Sequence, residues 1–133
     1  MSLYTFARIA AAVAVTTGIA RFAIADLKGD YNVEFVVQET PYTGTFKTTA
    51  ASKGAFTAKI DFTSPANVVS EGTGTTAGDS MTFNAKYEDK TRGCSGTFAG
   101  RGKVEKDGSK GDGVVEISDS CSGALSGKFR IWR

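Results

Sequence analysis

The chain has 133 residues, 16 lysines and arginines against 14 aspartates and glutamates, and no histidine. That length suits a single domain. The missing histidine removes the commonest general base, the usual zinc or copper ligand and the standard serine or cysteine triads, so an enzyme is not expected and neither is a metal or another cofactor.

The first element, over 1–25, has the layout of a secretory signal. Arg8 supplies the positive start, Ile9 to Val15 an apolar run, and Ala23-Ile24-Ala25 a small-residue cleavage site. The run is too short to cross a bilayer, with Thr16, Thr17 and Gly18 diluting its end and Arg21 closing it. An uncleaved anchor is the alternative. Cleavage would remove Arg8 and Arg21 but no acid, leaving 14 basic and 14 acidic side chains in residues 26–133. A neutral chain has no global pull towards nucleic acid or an anionic membrane. The expected organisation is therefore an export signal over 1–25 and one β-domain over 26–133, in the periplasm or outside the cell.

After Ala25 the pattern alternates with the two-residue period of half-buried strands. Tyr31, Val33, Phe35 and Val37 form the first inner row, and Glu39 to Tyr42, with Pro41, reads as the turn. The second strand, Thr43 to Ala51, points Gly44, Phe46, Thr48 and Ala50 inward, and Ser52-Lys53-Gly54 turns it. Phe56, Ala58, Ile60 and Phe62 make the cleanest row, which ends at Ser64-Pro65. The fourth strand, Asn67 to Thr76, has the weakest pattern; Val68, Ser70, Gly72 and Gly74 are assigned inward, before a turn at Ala77-Gly78-Asp79. Met81, Phe83, Ala85 and Tyr87 follow. Glu105 to Asp112 reads as a long polar turn, and Gly113 to Asp119 as the seventh strand, with Val115 and Ile117 inward.

The sixth and eighth strands carry a repeat. Cys94-Ser95-Gly96 to Val104 reappears as Cys121-Ser122-Gly123 to Ile131, and in each copy every second residue from the cysteine is apolar or glycine. Two cysteines in an exported chain read as a structural disulfide, Cys94 to Cys121, with a pair of buried thiols as the alternative. All seven phenylalanines after Ala25 (Phe35, Phe46, Phe56, Phe62, Phe83, Phe98 and Phe129) fall on the inner phase. Eight short strands with tight turns predict an all-β, antiparallel up-and-down barrel, because closure removes sheet edges; a two-sheet β-sandwich is the alternative. Outward positions such as Glu34, Lys59, Asp61, Lys86, Arg101 and Lys103 are charged, so a membrane-spanning barrel is not expected.

Gly29-Asp30-Tyr31 at the start of the first strand, with Arg133 late on the inner phase of the last, resembles the calycin architecture of lipocalins and avidins. Those families open on glycine, any residue, tryptophan; here a tyrosine stands at the third place. The resemblance implies a barrel-closing contact between Tyr31 and Arg133, a closed end there, and a ligand mouth opposite. The mouth would be built from Glu39 to Tyr42, Ser64 to Asn67, Glu88 to Gly93 and Asp119 to Cys121. A small apolar molecule would then meet Phe35, Tyr42, Phe62, Phe83 and Tyr87. Inner glycines leave space there and seven phenylalanines consume it, so a filled core is expected ahead of a cavity.

Other features have plainer readings. Asp107 to Gly113 lacks the acid spacing of a calcium loop and reads as a turn. Most acids fall on outward phases or in turns, where they are expected to be solvated. Arg101, Lys103, Lys128 and Arg130, beside Trp132, could form a basic outer stripe for an anionic or protein partner, against the alternative of a mixed-charge surface.

Overall fold

The computed structural model describes residues 27–50 and 53–133. The expected signal at 1–25 lies outside them. The described chain forms eight strands: β1 (Gly29–Val37), β2 (Thr40–Ala50), β3 (Ala55–Ser64), β4 (Val68–Ala77), β5 (Ser80–Asp89), β6 (Cys94–Val104), β7 (Lys110–Asp119) and β8 (Gly123–Trp132). Each pairs with its sequence neighbour, and β8 pairs antiparallel with β1, opposing Phe129 to Phe35 and Ile131 to Val33. The result is a closed antiparallel up-and-down barrel; a two-sheet sandwich is excluded by that last ladder.

The alternation has a direct physical outcome. All seven phenylalanines among the described residues are buried, with Phe46 completely covered, and Val33, Ile60 and Val115 pack beside them. The fourth strand also keeps the assigned phase: Val68, Ser70 and Thr76 are buried, and Ser70 donates its hydroxyl to the Ile60 carbonyl where the β3–β4 ladder is interrupted. Two glycines show why the wall is so tight. A Cβ on Gly72 would lie 1.8 Å from the Asn84 carbonyl oxygen, and one on Gly100 would lie 2.2 Å from the tip of the Phe83 ring. The first position lets backbones approach; the second makes room for an aromatic laid across its neighbour.

Three local expectations need correction. The first turn is Gln38-Glu39, both at positive φ (51° and 68°), so Pro41 and Tyr42 belong to β2. Pro41 is harmless there because β2–β3 pairing starts only at Thr43, so no strand among the described residues stands opposite its missing donor. Next, β7 begins at Lys110, not Gly113: Gly111 opposes Val104, Asp112 opposes Lys103, and the Glu105 amide donates to the Lys110 carbonyl. Finally, the two copies of the cysteine repeat keep the same inner phase, Phe98 and Val104 in one and Phe129 and Ile131 in the other, but they do not enter their strands at the same point. Cys94 opens β6, whereas Cys121 lies in the turn before β8.

One end of the barrel is stoppered. Leu27 is buried there, and the Tyr31 hydroxyl donates to the Gly108 carbonyl over 2.5 Å. The Arg133 guanidinium sits 4.5 Å from the Tyr31 ring centre and donates to the Tyr31 hydroxyl and the Lys28 carbonyl. The nearby 105–109 turn is closed by Asp107, whose Oδ1 accepts from the Ser109 amide and hydroxyl. With this end sealed, access to the interior falls to the end that carries the 38–39, 65–67, 90–93 and 120–122 turns.

Candidate functional site

Counting by twos along β5 gives Met81, Phe83, Ala85, Tyr87 and then Asp89; along β7 it gives Val115, Ile117 and then Asp119. The last member of each inner row is thus an acid, and both side chains are only 2 % exposed. This departs from the expectation of solvated acids. Each carboxylate is fixed by the turn that follows it: Asp89 Oδ1 accepts from the Thr91 and Arg92 amides, and Asp119 Oδ1 from those of Cys121 and Ser122. A glycine at positive φ follows four residues after each acid, Gly93 and Gly123. The recurring Asp-x-x-x-Gly and the inner parity of its aspartate were the available sequence signals.

Arg92 joins the two acids. Its Nε donates to Asp89 Oδ2 at 2.7 Å and its Nη2 to Asp119 Oδ2 at 3.3 Å, while the Tyr87 hydroxyl also donates to Asp119 Oδ2. Burial alone would push both carboxyls up. For Asp89 the hydrogen bonds and charge of Arg92 outweigh it; for Asp119 the Tyr87 hydroxyl, the Ser122 and Cys121 amides and the Arg92 charge do, so both titrate below the ordinary value of 3.8. Tyr87 is displaced upward, by its burial first and then by the Asp119 carboxylate.

Depressed carboxyls bind protons more weakly in the folded chain than in the unfolded one. Their contribution to stability is therefore complete above the unfolded value and drains away as pH falls from about 4 through the folded values, at about 1.4 kcal/mol per unit of depression. Denaturant midpoints measured between pH 6 and 2.5 are expected to fall on the acid side, and Asp89→Asn or Asp119→Asn to flatten that limb. An unchanged acid limb in both variants would show that other carboxylates carry it.

Beside this clasp the aromatic packing stops short and leaves an open-mouthed cavity of about 60 Å³, walled by Phe35, Tyr42, Phe62, Phe98 and Tyr87 and lined also by Asp89, Arg92 and Asp119. Tyr42 meets Phe62 edge-on at 6.2 Å, and Tyr87 stacks on Phe98 at 5.5 Å. Four of the five residues assigned to a ligand site line this space; Phe83 lies one layer deeper, against Phe46 and Phe129.

The disulfide joins Cys94 to Cys121 beside the clasp, with Cα atoms 5.8 Å apart. Their sulfurs and an Asp119 oxygen lie within 4.8 Å of one another. Both sulfurs are spent in the bond and the Asp119 oxygens already accept four hydrogen bonds, so the chemistry of this donor set is not that of a metal centre.

The four cations of the outer stripe share one face, and two of them, Lys103 and Arg130, are interleaved with acids. Arg130 pairs with Glu34 at 2.9 Å and lies over the Trp132 ring, and Asp112 stands in register between Lys103 and Arg130. Val114 stands between Arg101 and Lys128. A mixed-charge surface fits this arrangement.

No protein-family model and no curated protein matches the chain. Among solved structures it is similar to a redesigned beta barrel, mFAP1, bound to DFHBI: TM-score 0.62 and 15 % identity, over 80 % of this chain and 94 % of that one. A second redesigned barrel gives 0.59 and 14 % identity over 80 % and 90 % of the two chains. A third structure, EF1p2_mFAP2b bound to DFHBI, gives 0.59 and 11 % identity over 80 % and 93 %. At such low identity these likenesses establish the fold alone, and this chain has the closed β-barrel architecture.

Proposed function

We propose that the chain is an exported, non-catalytic binding protein that receives a small, largely apolar molecule at the open end of its barrel. Phe35, Tyr42, Phe62 and Tyr87 surround the body of the ligand, and Phe83 forms the layer beneath it. The observation that carries this reading is the aromatic-walled cavity beside the Arg92 clasp, placed opposite the stoppered end. Two barrels of similar fold are described as bound to DFHBI, which shows that the architecture is compatible with a small-molecule site. Export rests on the layout of residues 1–25 and on the disulfide, a bond that persists in oxidising compartments.

Native mass spectrometry of the chain secreted by its own host tests the proposal. The expected result is mass beyond that of the chain, lost on denaturation. A bare chain that also fails to take up any small aromatic probe would overturn it.

A further inference from the structure

We propose that the ligand of this mouth carries a cationic head, an alkylammonium or amidinium group, and that the Arg92 guanidinium holds the place of that head until the ligand arrives. This rests on the mouth being a ligand site. The cavity measures about 60 Å³ with Arg92 in place, whereas sites for drug-sized molecules run to roughly 300–1,000 Å³. A molecule of that size could be buried to the usual depth only if part of the wall moved.

Arg92 is the part built to move. It belongs to a turn, its side chain is 43 % exposed, and among the described residues only side-chain contacts to the two acids hold its guanidinium. The acids are not free to follow. Asp89 and Asp119 sit at inner strand positions and are each pinned by two backbone amides. Swinging Arg92 into solvent thus uncovers two fixed, buried carboxylates, one of which keeps the Tyr87 hydroxyl.

That exposed pair dictates the charge of whatever replaces the arginine. A neutral group would leave buried carboxylates without a counter-ion, and an anion would add repulsion to the same loss. An ammonium or amidinium restores the pairing at the two Oδ2 atoms, while the apolar body it carries settles on Phe35, Tyr42 and Phe62, whose ring faces also attract a cation. Two carboxylates against one guanidinium already leave the clasp one positive charge short.

The test is a calorimetric titration of the full secreted chain, at neutral pH and fixed ionic strength, with three probes of similar shape: benzylammonium, benzyl alcohol and benzoate. Benzylammonium is expected to bind roughly tenfold more tightly than benzyl alcohol, and benzoate most weakly. Arg92→Ala, which removes the internal competitor, is expected to tighten benzylammonium about fivefold or more, and Asp119→Asn to erase the preference. Benzyl alcohol binding as well as benzylammonium, or benzoate binding best, would leave the mouth as a ligand site and overturn the cationic head. Binding of no probe to either the wild-type chain or Arg92→Ala would overturn the mouth site itself. Should Arg92→Ala fail to fold, the ranking of the probes on the wild-type chain decides.

Discussion

Replacing Phe83 by alanine is expected to cost about 3–5 kcal/mol of folding stability, enough to remove a large share of the roughly 5–15 kcal/mol typical of a domain. The ring is 1 % exposed and meets four others: Phe129 at 5.1 Å, Phe46 at 5.6 Å, Phe98 at 6.3 Å and Phe35 at 6.4 Å. Its far edge lies over Gly100, which has no side chain to lean into a vacated space. The wall around it is a closed ladder of hydrogen-bonded strands that cannot collapse inward without breaking pairs. Little of the void should therefore be recovered, and the cost should sit at the high end for an aromatic truncation. Denaturant unfolding checks it. A loss below about 1 kcal/mol would mean that the core relaxes around the gap, contrary to a rigid wall. Gly100→Ala should also destabilise, by about 1–3 kcal/mol, since its new methyl enters the same ring. The two changes combined should cost less than their sum.

Phase was the legible part of this fold, and it was legible because one face of every strand had to be dry. Each phenylalanine reports the inner face of its own strand and so sets the parity of six strands; β4 has none, and its phase rests on the weaker pattern of Val68 and Ser70, both of which are buried. Turns are less legible, for different physical reasons. Gln38 and Glu39 adopt positive φ without the glycine or asparagine that usually marks such a turn, while Pro41 advertised a turn where the chain is extended. Lys110, Gly111 and Asp112 have poor strand propensity, yet they are held in β7 by partners on both sides, Val104 and Lys103 in β6 and Ile131 and Arg130 in β8. The clasp is hidden in the sequence because the charge of an aspartate argues for an outward position while its parity argues for an inward one. Asp89 and Asp119 continue inner rows without a break, and a buried aspartate needs donors that a sequence does not display: turn amides, and an arginine three residues on from one acid and 27 before the other.

Breaking the Cys94–Cys121 bond is expected to act on both stability and the mouth, and the two effects should separate. The bond closes a loop with a sequence separation of 27, which in the chain-entropy model is worth about 3.5 kcal/mol, or a fall in the thermal midpoint on the order of 20 °C for a domain of this size. Phe83→Ala would cost as much by emptying the native core; this loss comes mainly from freeing the unfolded chain, so the core of the folded barrel should survive it. The mouth should not be spared. Cys121 lies in the turn whose amides hold Asp119 Oδ1, and what then ties that turn to β6 is the pair of hydrogen bonds between Ser120 and Ser95, both exposed or on the backbone. A looser turn lets Asp119 drift from Tyr87 and Arg92, whereas the bond of Arg92 to Asp89 lies wholly within the 89–92 segment and should persist. Thermal melts of Cys94→Ser/Cys121→Ser measure the first effect. Alkaline titration of Tyr87 measures the second, since its phenol is held above the ordinary tyrosine range partly by Asp119 and should move back towards it. A lowered midpoint with Tyr87 unmoved would make the disulfide a staple of the chain alone; movement of both would make it the brace that keeps the clasp shut.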